Sequence, residues 1–179
     1  MLIRRHKGWI GDNFSTIADQ LAATIDTEYE GSEPVAAVIF NSAAQSNAFQ
    51  EYLVENREEL AAKITKDNGY DTNAPRTPPE ETAGLNTTSK GEVGLNFDLK
   101  RLVMATPYTG SAFIQRIGRA ARQSSAIVDV YGLADPGWPS IQCYPNFLSR
   151  VSQTLSDTNT YRKQLRHLTG MRAAHALHT

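Results

Sequence analysis

Six apolar residues in a row, Val35-Ala36-Ala37-Val38-Ile39-Phe40, set behind Pro34 and ahead of Asn41-Ser42, constrain this chain more than any other segment. The run is too short for a covered helix and lacks the alternation of a strand with one wet face. It reads as a strand buried on both faces, the usual state of a parallel strand. Such a strand needs helices above and below it, and the flanks supply them. Upstream, Phe14, Ile17, Leu21, Ala22 and Ile25 recur at three- and four-residue spacing, with Asp12 or Asn13 placed to cap the helix. Downstream, Ser42 and Gln45 have the spacing of a capping box and open an amphipathic helix through Phe49, Leu53 and Leu60. The alternation then repeats. Residues 84–88 and 101–105 read as strands, the stretch around 113–122 as a helix, and 126–131 as a further strand. The expected fold class is α/β, a mainly parallel sheet covered by helices.

Residues 1–33 are expected to form a helical lead-in, 34–133 the sheet domain, and 134–179 a helical C-terminal extension with apolar positions Phe147, Leu148, Val151, Leu155, Leu165, Leu168 and Met171. Between the second helix and residue 84, Asp67-Asn68-Gly69, Pro75, Pro78 and Pro79 favour turns and remove ladder donors, so residues 65–81 read as a surface loop or hinge. Composition narrows the chemistry. The single cysteine, Cys143, excludes an internal disulfide and a thiolate-rich zinc site. His175 and His178 lie three apart with no carboxylate or thiol beside them, and read as exposed histidines. No apolar run approaches the roughly 18 residues of a membrane span, and the basic start runs into Gly8, Trp9 and Gly11 instead of an apolar signal core, so a cytoplasmic location without membrane contact is expected. A net charge of -1 gives no general attraction for nucleic acid. Local patches must supply any such binding, as in the acid-free stretch 158–179 with Arg162, Lys163, Arg166 and Arg172, where Tyr161 offers a ring for stacking. Packing of Leu165, Leu168 and Met171 on the core explains the same helix without a ligand.

The segment richest in chemistry is Gln115-Arg116-Ile117-Gly118-Arg119-Ala120-Ala121-Arg122. On a helix advancing about 100° per residue, Gln115, Arg119 and Arg122 fall within roughly 40 to 60° of one another, which puts one amide and two guanidinia on one face. Gly118 costs about 1 kcal/mol relative to Ala inside a helix, a cost usually met where backbone or ligand must approach closely. Guanidinium forks match phosphate oxygens and stabilise charge developing on a transferring phosphoryl group. A solvated basic helix face would have the same residues.

The octapeptide resembles motif VI of superfamily 2 helicases, a Gln-Arg-x-Gly-Arg-x-x-Arg pattern. About twenty-five residues earlier, Thr87-Thr88-Ser89-Lys90-Gly91-Glu92-Val93-Gly94-Leu95-Asn96-Phe97 resembles motif V, in the right order and at the right spacing. Val38-Ile39-Phe40-Asn41-Ser42 is similar to motif IV, although any parallel αβ protein contains something like it. The resemblance implies the second RecA-like lobe of a P-loop NTPase fold. It implies that Arg119 and Arg122 act as arginine fingers and that Gln115 contacts the phosphates or their bound water. Arg116 would support the nucleotide site or pair with acidic groups of the partner lobe. Gly94 and Asn96 would lie near the nucleotide, Asn96 standing where many relatives have an Asp that bonds the ribose. Thr88, Thr87 and Ser42 would meet the nucleic-acid backbone, the last at a helix N-terminus suited to phosphate. Ala121 departs mildly from the Gly often found there. The turn-rich 65–81 departs further, because relatives place a strand and helix between motifs IV and V, and an abbreviated sheet is expected.

ATP and Mg²⁺ are the implied cofactors, yet no Gly-x-x-x-x-Gly-Lys-Ser/Thr loop and no convincing Walker B strand is present to hold them. The expectation is therefore half of a composite site, completed by a Walker-bearing lobe on another chain or lost by gene splitting or truncation. Trp9 and Phe14 are candidates to cover that interface. Glu92 in motif V together with Gln115 is similar to the helicase of type I CRISPR-associated helicase-nucleases, which implies a DNA preference and a CRISPR effector complex as partner. The His-Asp nuclease signature is absent. A catalytically inert remnant serving as a nucleic-acid or protein binding module explains the same motifs. An unrelated phosphate-binding αβ domain would require their pairing to be coincidence.

Overall fold

The structure is a computed structural model and describes residues 1–68, 82–88, 97–107, 110–120 and 125–132. The apolar run forms β2 (Ala36–Ile39), and all four of its residues are buried. It is central because strands pair with it on both sides, β4 (Gly84–Thr87) and β5 (Arg101–Ala105), each in parallel register beginning at Ala36. The sheet continues through β3 (Ile64–Asp67) on one edge and through β6 (Ile127–Tyr131) to β1 (Leu2–His6) on the other. All six strands are parallel, in the order β1-β6-β5-β2-β4-β3. The expected α/β class with a parallel sheet is what the chain adopts.

Successive side chains of a strand face opposite sides, and here both sides are apolar. Val38 and Phe40 from β2, Val103 from β5 and Tyr131 from β6 face one layer. That layer is made by α1 (Phe14–Glu28), α2 (Ala43–Asn56) and α3 (Glu58–Lys63) through Ile17, Leu21, Ile25, Phe49, Leu53 and Leu60. Ala37, Ile39, Leu102, Met104, Val128 and Val130 face the other layer, where Phe113 and Ile117 of α4 (Gly110–Ile117) cover them. Phe14, Phe40 and Phe49 meet at ring separations of 5.2 to 6.1 Å, and fully burying each such side chain contributes about 1.5–3 kcal/mol. Gly84 lets the first layer sit close, since a Cβ there would lie 3.1 Å from Ile64 Cγ1 and 3.2 Å from Ile25 Cδ1.

Four expectations change. Residues 1–33 are not only helical: Leu2–His6 adds an edge strand, tied at its start by Leu2 N–H to the Ala126 carbonyl at 2.8 Å. Its sequence is basic and largely exposed, so no apolar periodicity marks it, and pairing with β6 makes the strand. The sheet is not abbreviated, because α3 and β3 supply a helix and strand between β2 and β4. β3 buries one apolar residue, Ile64, and is hidden beside turn-forming Asp67-Asn68-Gly69. The helix expected through Leu60 breaks at Arg57 (φ -148°, ψ 56°) into α2 and α3. Asn13 does occupy the cap position of α1, but its amide donates back to the Trp9 carbonyl at 2.7 Å and caps nothing. The expected extension at 134–179 lies outside the described residues.

Two polar clusters are buried against the first helical layer. Asn86 of β4 accepts from Ser46 Oγ (2.8 Å) and donates to the Ser46 carbonyl (2.8 Å) and to Gln50 Oε1 (3.1 Å), locking β4 to α2. Asp129 of β6, fully buried, accepts from His6 Nε2 at 2.7 Å and from Arg101 Nη1 at 2.5 Å. Arg101 Nε in turn donates to Thr24 Oγ1 of α1 at 2.8 Å. The carboxylate thereby joins three strands and a helix, with each of its oxygens paired, as a buried charge requires.

Candidate functional site

In an open parallel sheet, ligands bind outside the carboxyl ends of the strands, where the outgoing connections diverge. Here the chain leaving β2 runs through α2 and α3 to β3 on one side, and the chain leaving β5 runs through α4 to β6 on the other. The crevice thus falls at the ends of β2 and β5. Asn41-Ser42 leave the first of these strands, Thr106 leaves the second, and Arg116 reaches in from α4.

Arg116 is buried, 3% exposed, and its Nη1 donates to Asn41 Oδ1 and to the Ala105 carbonyl, both at 3.0 Å. Asn41 uses its other end as well, donating Nδ2 to the Thr106 carbonyl at 2.8 Å. Thr106 continues the chain of bonds, with Oγ1 and N–H both donating to the Tyr131 carbonyl at 2.6 and 2.9 Å. The ends of β2, β5 and β6 are stitched together in this way, and the guanidinium holds motif IV against motif VI.

Ser42 is exposed and caps α2, its Oγ accepting from Gln45 N–H at 3.3 Å and its carbonyl from Ser46 N–H at 3.2 Å. The capping box is half formed, since Gln45 Oε1 is buried without a partner. The first turn of this fourteen-residue helix opens onto the carboxyl edge with its remaining donors, favourable to an anion.

Thr87 and Thr88 reach the same edge but face inward. Thr87 Oγ1 donates to the Asp67 carbonyl at 2.6 Å and Thr88 Oγ1 to the Asn68 carbonyl at 3.0 Å, and both residues are buried. Their hydroxyl protons hold β4 to the end of β3, so a phosphate meeting them would find hydroxyl oxygens that are already donating.

Gln115 is exposed on α4 and Arg119 is part-exposed beyond it. Gln115 and Arg119 do not share one continuous helix, because α4 ends at Ile117, between them. Arg119 N–H bonds the Arg116 carbonyl (3.0 Å) and Ala120 N–H the Ile117 carbonyl (3.1 Å), the tighter spacing of a closing turn. The parallel bridge Leu99↔Ala120 then draws the chain into an extended path. Gly118 therefore serves the turn and not a helix interior. Arg122, Gly94 and Asn96 lie outside the described residues, as do His175, His178 and the basic stretch from 158.

The residue types here suit an anion: a guanidinium at Arg119, an amide at Gln115 and the start of α2 all favour phosphate. Magnesium is a different case. Among the described residues no three His, Cys, Asp or Glu gather to hold a metal, so an ion accompanying the nucleotide would be held by groups other than these. Among the same residues, no helix is long and apolar enough to cross a membrane. Asn41 and Thr106 are the site residues that sequence reasoning passed over. Position immediately after the buried β2 run was the one available signal for Asn41, and Thr106 follows β5 in the same way.

No family model matches the chain, and no curated protein matches it either. Solved structures do. Domain 2 of the DEAD-box helicase Mss116p, bound to an RNA duplex, superposes with a TM-score of 0.55 at 16% identity over 73% of this chain and 53% of that one. T. fusca Cas3 gives 0.63 at 15% identity over 97% of this chain and 26% of its own. The C-terminal domain of the DEAD-box protein Dbp5 gives 0.55 at 14% identity, covering 93% of this chain and 96% of that domain. The chain thus spans about half of the Mss116p structure and about a quarter of Cas3. Its fold is the RecA-like α/β fold found in the C-terminal domains of superfamily 2 helicases.

Proposed function

We propose that this chain is the second lobe of an ATP-dependent superfamily 2 nucleic-acid helicase. The observation that supports it most is the Arg116–Asn41 bond, which joins the residue string resembling motif VI to the one resembling motif IV at the switch point of a RecA-like sheet. In this reading a Walker-bearing lobe holds ATP and Mg²⁺ across the cleft, and Arg119 and Arg122 neutralise charge on the γ-phosphoryl group as it transfers. ATP supplies the energy of each cycle. Gln115 orients the phosphates or the attacking water, Arg116 fixes the loop that carries Arg119, and Gly94 and Asn96 approach the nucleotide. Ser42 and the start of α2 meet the nucleic-acid backbone, while Thr87 and Thr88, whose hydroxyls hold β4 to the end of β3, shape the edge beside them. Closure of the two lobes on ATP and a single strand, followed by reopening after hydrolysis, would move the strand.

DNA is the proposed substrate and a CRISPR effector complex the proposed assembly, on the motif resemblance and the likeness to Cas3. ATP turnover measured with single-stranded DNA and RNA, for this chain alone and mixed with a candidate Walker-bearing lobe, tests the reading. Turnover only in the mixture supports it. Turnover by the chain alone sinks the half-site argument, and none in either, with nucleic acid still bound, favours an inert binding module.

A further inference from the structure

Three residues beyond β1, the indole of Trp9 stands 57% exposed, the most exposed aromatic ring among the described residues. It is not loose. Its carbonyl accepts from Asn13 Nδ2 at 2.7 Å and from Asp12 N–H at 3.2 Å, Gly8 turns the chain before it at φ +86°, and the buried Ile10 anchors it from behind. The ring lies flat over Gly11, so close that a Cβ on that residue would fall 2.7 Å from ring carbon Cζ3. An exposed apolar ring held this way is a surface that no described residue of the chain covers.

The charges around it say what kind of occupant fits. Arg4, Arg5 and Lys7 are all exposed and form no ion pair among the described residues, and no acid occurs before Asp12. The one charge partner on this strand is that of His6, which bonds buried Asp129 and stacks on Tyr131 at 4.5 Å. Arg4 lies on the same side of β1 as His6, the side where Ile10 packs, whereas Arg5 lies with Ile3 on the opposite side, so Arg4 and Lys7 are the cations that share Trp9's side. Cations beside a held aromatic ring are the two components of a single-strand-binding surface, one for the backbone and one for a base. Trp9 also stands on the correct side, because β1 runs parallel to its neighbours and ends on the carboxyl edge that carries Ser42. With strands spaced about 4.8 Å apart, the three steps from β1 to β2 span roughly 14 Å, the length of about four nucleotides at roughly 3.4 Å each.

We infer that Trp9 is a stacking platform for one base of a single nucleic-acid strand whose phosphates are met by Arg4 and Lys7. This extends the proposed nucleic-acid contact at Ser42 along the carboxyl edge and rests on that reading. The test uses the full chain carrying Trp138→Phe, which leaves Trp9 as the sole tryptophan. Twelve-residue oligothymidylate and oligouridylate should quench its emission. By anisotropy, Trp9→Ala should weaken binding by about 5- to 150-fold, and Trp9→Phe should restore part of it. Gly11→Ala keeps the indole but lifts it from its seat, and should also weaken binding. Each of Arg4→Gln and Lys7→Gln should lower the salt-dependence slope by roughly 0.7, whereas Arg5→Gln, on the opposite face of β1, should leave it unchanged. Saturable binding with an unquenched indole, or wild-type affinity in Trp9→Ala, overturns the platform. If Ser42→Ala weakens binding while Trp9→Ala does not, the platform fails and the helicase-lobe reading stands. The reverse keeps the platform and removes the Ser42 contact. Quenching by ATP but not by either oligonucleotide, or an emission shift only on adding a Walker-bearing lobe, overturns it in favour of those occupants. Binding of neither oligonucleotide overturns it also, and leaves the mixed-lobe turnover assay to decide the function.

Discussion

The Arg116 guanidinium lies 3.0 Å from Asn41 Oδ1, seventy-five residues apart in sequence, and it links the helix after β5 to the loop after β2. Arg119, three residues on, is tied to this joint, because its N–H bonds the Arg116 carbonyl at 3.0 Å.

Replacing Arg116 by Ala should therefore cost about 2–3 kcal/mol, since it leaves Asn41 Oδ1 and the Ala105 carbonyl short of a charged donor. Arg116→Lys should recover little, because an ammonium on a flexible stem does not reproduce the planar fork. Urea unfolding with an unchanged slope and a lowered midpoint is the expected result. A midpoint equal to wild type would mean that the joint carries no stability.

Arg119→Ala is expected to behave in the opposite way. The side chain lies past the end of α4 and is part-exposed, so folding should be almost unaffected. In a reconstituted two-lobe motor, ATP turnover should fall by about 10³-fold or more, with a similar loss for Arg122→Ala. Unaltered turnover in the doubly substituted protein would refute the finger assignment.

Tyr131 sets the alkaline limit. Burial first, and then the neighbouring Asp129 carboxylate, raise its phenol above the ordinary value near 10, with Gln20 and Arg101 offsetting part of that. The unfolded chain ionises first as pH rises. The stabilisation is thus complete below the unfolded pKa and is lost as pH climbs towards the folded one. Its hydroxyl oxygen is buried without a hydrogen-bond partner, so Tyr131→Phe should be neutral or slightly stabilising, by up to about 1 kcal/mol at neutral pH. Thermal unfolding measured from about pH 9 to pH 11 should show a shallower decline in this variant. Matching profiles would remove Tyr131 from the explanation.

Gly84→Ala should destabilise by about 1–3 kcal/mol, because the new Cβ meets Ile64 and Ile25 at 3.1 and 3.2 Å where α1 and β3 close over β4. Pairing it with Ile25→Val, which shortens one of the two contacts, should recover part of the loss. Additive losses in the double variant would show that the clash lies with the backbone.

The central strand, the helices flanking it and the order of motifs were legible in the sequence because each depends on local pattern. β2 is an unbroken apolar run, and α1 repeats its apolar residues every three or four positions. Ser42 precedes α2 at capping distance. The two edge strands were not legible. Leu2–His6 and Ile64–Asp67 carry few buried apolar groups, and become strands only because β6 and β4 offer unpaired ladders beside them. Side-chain direction was equally hidden. Thr87 and Thr88 look like ligand hydroxyls in the sequence, yet in the structure they donate to the carbonyls of Asp67 and Asn68. The face shared by Gln115, Arg119 and Arg122 follows from an ideal helix, but α4 ends at Ile117, between the first two of them. Sequence alone determined the class of fold and the chemistry available at the carboxyl edge, since both follow from residue type and short-range spacing. Tertiary structure decided which donors face outward, because long-range pairing fixes where each element stops and each polar group must find its partner within the fold.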